Sequence, residues 1–235
     1  MVGLVHALGD KQAVIVGHDW GAPAAWTAAL LRPEVFRAVV GMSVPYSPPG
    51  PVDLLTALQK MGVQNFYMQY FQQPGVAEAE AEADPQGFVH RMMYAVSGDV
   101  PPGNYFDKPL GATFLEGLPD PQPVAWLTDE DIAFYGNEFA QSGFRGALNR
   151  YRNHERDYEW LQGWAGRKIE QPCLFIGGDR DPATTLFGAV ADPVAMMRMF
   201  APRVEGHVLQ GVGHWTQQEH PDEVNRLLLD WLARV

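Results

Sequence analysis

Apolar and polar positions along this chain follow two different periods, and the change between them divides it. Short apolar, β-branched runs bounded by glycine or proline mark buried strands at residues 13–16, 38–44 and 172–177, with a shorter one at 208–209. A short helix precedes the first strand, and the alanine-rich run 22–31 between the first two strands has helical length. Strands alternating with helices predict a parallel sheet, hence an α/β fold. The run P-Y-S-P-P-G-P from Pro45 to Pro51 then breaks the alternation. From there to about residue 165 the chain shows proline loops and amphipathic helical runs, at 129–141 and 144–152. Glu and Ala alternate over 77–83, which reads as a solvated helical face. Strand and helix alternate again from Pro172 to a closing helix, 222–233. Its Leu227, Leu228, Leu229, Trp231 and Leu232 form an apolar face suited to packing on a sheet. The organisation expected is an α/β core from residues 1–46 and 166–235, with a helical cap, 47–165, inserted into it. No internal repeat is present.

The chemistry concentrates where strands end. Val14-Ile15-Val16-Gly17-His18-Asp19-Trp20-Gly21-Ala22 reads as strand, sharp turn, helix. The two glycines permit a strained turn that lifts the Asp19 side chain above the sheet, as a nucleophile elbow does for its serine. A simpler role for Asp19, as N-cap of the following helix, stays open on this segment alone. Asp179 and Asp181 follow the strand at 172–177, where open α/β sheets place their sites. Asp181 is the candidate partner acid, and Asp179 is expected to brace the turn. His214, flanked by Gly213 and Trp215 on a loop after the last strand, completes the order nucleophile, acid, histidine. An aspartate at the elbow is already ionised near neutral pH and attacks an electrophilic carbon directly. The product is an alkyl ester on the enzyme, which a histidine-activated water then cleaves. The substrate so implied carries a saturated carbon with a leaving group, an epoxide or an alkyl halide. Tyr70 and Tyr151 in the cap could serve an epoxide oxygen, although tyrosines in helical segments more often pack than react.

Composition narrows the partners. A formal charge of −11, with no basic stripe, argues against nucleic acid. Seven tryptophans and twelve phenylalanines suit a large apolar interior or pocket. The single Cys173 sits inside a predicted strand, so no disulfide framework and no cysteine metal site are expected. A reducing, cytoplasmic setting fits that usage. The first residues lack a basic region ahead of an apolar run, so no secretory signal is read there. No stretch is long and apolar enough for a membrane span.

Four motifs carry a family resemblance over nearly the whole chain. They are G-H-D-W-G-A at the elbow, Y-F-Q-Q-P-G-V-A-E-A-E and S-G-F-R-G-A-L-N-R-Y-R-N in the cap, and G-H-W-T-Q near the end. The chain resembles the soluble epoxide hydrolases of the α/β-hydrolase superfamily. The resemblance implies Asp19 as nucleophile, Asp181 as orienting acid, His214 as base, and Tyr70 with Tyr151 as donors to the epoxide oxygen. It implies a vicinal diol as product, a small hydrophobic epoxide as substrate, and no cofactor or metal. Trp20 and Trp215 are expected pocket walls, with the Trp20 N–H as an oxyanion donor. One departure stands out. Hydrolases of this family begin with several strands before the elbow, one followed by an H-G-x-P loop that completes the oxyanion hole. No H-G-x-P occurs in this sequence, and Met1 falls in the helix before the elbow strand. The expectation is thus an N-terminally truncated core with an exposed apolar edge strand, open to aggregation or to pairing with another chain, a homodimer included. Loss of one oxyanion donor typically costs about 10²–10³ in rate. Two alternatives remain open at this level: a haloalkane dehalogenase, which the tyrosine pair disfavours, and a truncated, inactive fragment or interaction module of the same fold.

Overall fold

The computed structural model describes every residue except Met61, Gln64, Asn104 and Phe187. In chain order its elements begin with α1 (Val2–Ala7), β1 (Ala13–His18), α2 (Gly21–Leu31) and β2 (Phe36–Met42). A long helical stretch follows: α3 (Leu54–Lys60), α4 (Tyr67–Tyr70), α5 (Val76–Ala83), α6 (Pro85–Ala95), α7 (Asp129–Ser142), α8 (Arg145–Arg152) and α9 (His154–Leu161). The chain closes with β3 (Cys173–Gly178), α10 (Pro193–Arg198), β4 (Val204–Leu209), α11 (Thr216–Glu219) and α12 (Pro221–Leu232). It divides into two compact units, one of Met1–Pro48, Val96–Gly98 and Gly166–Val235, the other of Pro49–Ala95 and Asp99–Ala165. The tripeptide Val96–Gly98, expected from sequence to belong to the cap, lies with the sheet.

In the first unit the strands pair in the order β1-β2-β3-β4, all parallel. Alternate residues of the inner strands face opposite sides, as the two-residue period of a strand dictates. Val39, Cys173 and Phe175 pack with Ala25, Trp26 and Ala29 of α2 and with Met197. Val40, Leu174 and Ile176 pack with Val224, Leu227 and Trp231 of α12. Helices on both faces explain why these strands read as continuous apolar runs. The apolar face of α12 differs from the expected leucine face. Val224, Leu227 and Trp231, spaced three and four apart, are buried, whereas Leu229 is 67% exposed. Burial pushes the Cys173 thiol up to about 12, which leaves it inert at neutral pH.

Strand limits also shift from those expected. β2 runs from Phe36 to Met42 because Ser43 leaves the strand at a φ of 70°. β4 begins at Val204 and ends at Leu209, and its polar Glu205 and His207 hide its first four residues from an apolar-run reading that reaches only 208–209. As the last strand of the sheet order it tolerates partly exposed polar side chains, and His207 Nε2 lies 3.1 Å from Glu205.

The second unit contains the helices α3 to α9. α7 starts where Thr128 and Asp131 form a reciprocal capping box, the Asp131 N–H donating to Thr128 Oγ1 at 3.2 Å and the Thr128 N–H to Asp131 Oδ2 at 2.9 Å. It stops at Gly143, whose φ of 68° a side chain would resist. The solvated face expected at 77–83 is a correction: Ala77, Glu78 and Ala81 are buried. Glu78 receives a bidentate fork from Arg152, at 2.5 Å and 2.8 Å, while the Arg152 Nε–H donates to the Phe71 carbonyl at 2.9 Å. This clamp fastens the end of α8 to the turn that follows α4. Arg152 beside it holds the Glu78 carboxyl down at about 2. The pair therefore stabilises the fold above the ordinary Glu value of about 4.5, and that contribution is lost as pH falls through about 2. Glu78→Gln leaves a largely buried guanidinium without its counter-charge, an imbalance that costs about 3–5 kcal/mol. Urea unfolding at pH 7 should show that loss; a loss below about 1 kcal/mol would reduce the clamp to a surface ion pair.

Among the described residues no helix is long and apolar enough to cross a membrane.

Candidate active site

Because all four strands are parallel, their carboxyl ends lie on one edge, and the loops leaving them converge. Asp19 follows β1, Ser43 follows β2, Asp179 to Asp181 follow β3, and His214 lies on the loop after β4. At the elbow the strain sits on Asp19 itself, with a φ of 50°, and not on the glycines. Gly17 is needed for close approach, since a Cβ there would lie 2.0 Å from the Gly21 carbonyl oxygen. Gly21 meets no such limit. The first residue of α2 is Gly21 and its N-cap is Trp20, without a side-chain cap bond. Capping therefore does not account for Asp19.

His214 stands between two carboxylates. Its Nε2 is 3.4 Å from Asp19 Oδ1 and its Nδ1 is 3.2 Å from Asp181 Oδ1. The two acids differ in access: the Asp181 side chain is 0% exposed and that of Asp19 39%. A substrate can reach only the second. Asp181 is satisfied by its surroundings, accepting from the Ala183 N–H at 2.9 Å and the Ser43 hydroxyl at 2.5 Å, with the Thr184 hydroxyl at 3.2 Å. Asp179 braces its turn, as expected, accepting from the Gly211 N–H at 2.6 Å.

Burial opposes charge on His214, yet Asp181 and then Asp19 override it and push the imidazole up to about 10. Burial likewise opposes ionisation of Asp19. The bond and charge of His214, with a Trp20 N–H donated to the carboxylate, hold it below its usual range all the same. At neutral pH the site therefore holds an imidazolium between two carboxylates, one of them facing outward.

The histidine loop is held from several sides. The His214 N–H donates to the Val96 carbonyl at 2.9 Å. One Glu219 carboxylate receives the N–H groups of Gly98, Gly213 and Trp215 at 2.9, 2.8 and 3.0 Å. A Cβ on Gly213 would lie 2.2 Å from the Gly98 nitrogen, which admits only glycine there. His18 donates from Nε2 to the His214 carbonyl at 2.7 Å, and its ring centroid is 4.9 Å from that of His214. Burial, then the His214 charge, lower the His18 pKa and keep it a neutral donor. Trp215 stands edge-on to His214 at 5.0 Å, and Trp20 places its backbone N–H on the Asp19 carboxylate. Ser43, His18, Glu219 and Thr184 escape a motif-based reading. Only His18 and Ser43 carry a shared signal, a polar residue at or just past the end of a strand.

In the helical unit the two tyrosines expected as donors, Tyr70 and Tyr151, have different neighbours. Tyr151 meets Tyr67 edge-on at 5.9 Å and Phe71 at 5.0 Å. Tyr70 hydrogen-bonds the Glu80 carboxylate; burial first, and then that bond and charge, raise its pKa. Glu80 is fixed in turn by the N–H groups of Phe114 and Leu115 at 3.1 and 2.9 Å. Among the described residues no group of three or more His, Cys, Asp or Glu side chains could hold a metal ion.

Comparison with known proteins shows the family. The alpha/beta hydrolase family matches residues 2–227. Epoxide hydrolase A of Mycobacterium tuberculosis is 38% identical over 99% of this chain and 72% of its own length. The bifunctional epoxide hydrolase 2 of Sus scrofa is 36% identical over 99% of this chain and 41% of its own. The solved structure of an epoxide hydrolase from an endophytic Streptomyces superposes with a TM-score of 0.92 at 44% identity, covering 99% of this chain and 71% of that one.

Proposed function

The chain belongs to the epoxide hydrolase family of the α/β-hydrolases, and from that membership we propose that it adds water to an epoxide through an ester on Asp19. The observation that carries this reading is the unequal pair of carboxylates on one imidazole, Asp181 sealed and Asp19 exposed.

In the first half-reaction an Asp19 oxygen bonds to a ring carbon as the carbon–oxygen bond of the epoxide breaks. The oxygen released takes a proton from a tyrosine hydroxyl, and across the half-reaction that proton is made good by the one the His214 imidazolium gives up. Alkylation makes Asp19 neutral. It thereby removes one of the two charges that hold the imidazolium, so His214 gives up its proton more readily and becomes a base. In the second half-reaction His214 takes a proton from water, whose oxygen attacks the ester carbonyl. The Trp20 N–H, already on the Asp19 carboxylate, stabilises the oxyanion. Collapse releases the diol, protonated from the incoming water, and restores carboxylate and imidazolium.

The ring contacts favour Tyr67 with Tyr151 as the donor pair, since the Tyr70 hydroxyl is already engaged by Glu80. Tyr67→Phe and Tyr151→Phe should each slow ring opening about 10- to 100-fold, read as the single-turnover alkylation rate. Tyr70→Phe should change it less than about 3-fold. The reverse ranking would return the role to Tyr70. The aromatic cluster of Tyr67, Phe71, Phe106 and Tyr151 supports a hydrophobic epoxide as substrate. A buried, unpaired Cys173 is compatible with a cytoplasmic location. A halide as leaving group is not favoured by the relatives found.

A further inference from the structure

We propose that Ser43 is a positioning residue of the hydrolytic half-reaction, its hydroxyl fixing the His214 ring so that Nδ1 carries a proton and Nε2 is turned to Asp19. The proposal rests on the assignment of His214 as the base. Ser43 is 0% exposed and sits at a φ of 70°, where a residue with a Cβ is held only when its surroundings over-determine it. The Thr184 hydroxyl lies 2.9 Å from the Ser43 carbonyl, and Ser43 N–H donates to the Ile176 carbonyl at 2.9 Å. Both contacts hold the backbone in that conformation.

The direction of each bond follows from counting protons. Ser43 has one hydroxyl hydrogen and two polar neighbours. Asp181 Oδ2, 2.5 Å away, belongs to a carboxylate and only accepts, so it receives that hydrogen. Toward His214 Nδ1, 2.9 Å away, the Ser43 oxygen is then an acceptor, and Nδ1 must be the donor. That contact is shorter than the 3.2 Å from Nδ1 to Asp181 Oδ1. The Nδ1 proton is therefore shared between Ser43 and Asp181, with Ser43 the nearer partner. A proton locked on Nδ1 leaves Nε2 as the basic nitrogen once Asp19 is esterified. Asp181 alone could hold the ring by one contact about which it can swing. A second acceptor at a different angle restricts that swing.

The test compares Ser43→Ala, Ser43→Gly and Ser43→Cys in the full chain. Alanine and glycine both remove the hydroxyl, whereas only glycine relieves the backbone strain. Cysteine keeps a weak donor and acceptor. Single-turnover kinetics separate alkylation from ester hydrolysis, and ¹⁵N NMR of the His214 ring, followed as pH is raised through about 10 so that the imidazolium gives way to neutral imidazole, reads the tautomer without need of turnover. Alanine and glycine should both slow hydrolysis about tenfold, the size of one hydrogen bond to a charged group. Alkylation should change less than about threefold, cysteine should recover part of the loss, and the Nδ1 resonance should shift in both hydroxyl-free variants. Unchanged hydrolysis in alanine and glycine alike, or an unaltered His214 ring spectrum, overturns the proposal. So does a deficit in alanine that glycine cures, because backbone strain would then be the cause. If alanine unfolds, glycine and cysteine carry the comparison. A wild-type chain that forms no ester defeats the catalytic assignment, and the ring spectra still decide whether Ser43 sets the tautomer.

Discussion

Replacing Asp19 by asparagine stops turnover. Asparagine has nearly the same shape and tolerates the left-handed backbone at φ 50° better than most residues, so the elbow is retained. Its amide does not attack a ring carbon. Removal of a nucleophile from a catalytic group that acts as a unit costs on the order of 10⁴–10⁶ in rate. Steady-state diol formation should fall by at least the lower of these figures. The same substitution tests the electrostatics. His214 loses one of the two carboxylates that push it up to about 10, so its titration midpoint should move down. A raised imidazole pKa stabilises the fold fully below the ordinary value near 6.5, and that contribution disappears as pH rises through about 10. In Asp19→Asn the alkaline limit of this window should retreat toward neutrality, read as an earlier fall in unfolding temperature between pH 7 and 10. An unmoved His214 midpoint would separate the two residues that the geometry places 3.4 Å apart.

His214→Gln should accumulate the ester. Glutamine cannot take a proton from water, and general-base assistance is worth about 10²–10⁴-fold. The first half-reaction keeps its nucleophile, because the Trp20 N–H still supports the Asp19 carboxylate. Asp181 loses its cation yet retains the Ser43 hydroxyl and the Ala183 N–H, which makes the buried charge survivable. Intact-protein mass spectrometry after exposure to a hydrophobic epoxide should show one adduct with the full mass of the epoxide, mapping to the peptide that contains Asp19. Lost activity with no adduct would remove His214 from the second half-reaction and assign it to the first.

The residues that the sequence singles out for this chemistry lie at strand ends, and that is why they are legible. Asp19 after Gly17 and His18, Asp181 three residues after Gly178 and a histidine between Gly213 and Trp215 each follow an apolar run. The parallel sheet then brings them onto one edge. What remained hidden depends on contacts between distant segments. Ser43 is one serine among several until β2 and β3 place it against Asp181, 138 positions later. Glu78 reads as solvated because its partner, Arg152, is 74 positions away. Tyr67 and Tyr70 begin and end one helical turn, and no local signal says which of them meets Tyr151 and which meets Glu80. The first four residues of β4 escaped because polar side chains interrupt a strand whose hydrogen bonds to β3 decide its length.

The central claim is that an oxygen of Asp19, and not one from water, becomes bonded to substrate carbon. A single turnover in ¹⁸O-water, with enzyme in excess over epoxide, tests it most directly. The account predicts that the diol from that first turnover carries no heavy oxygen and that the label appears in the Asp19 peptide. Heavy oxygen in the first-turnover diol, with none in Asp19, would mean that water attacks the ring directly, and it would contradict the covalent route.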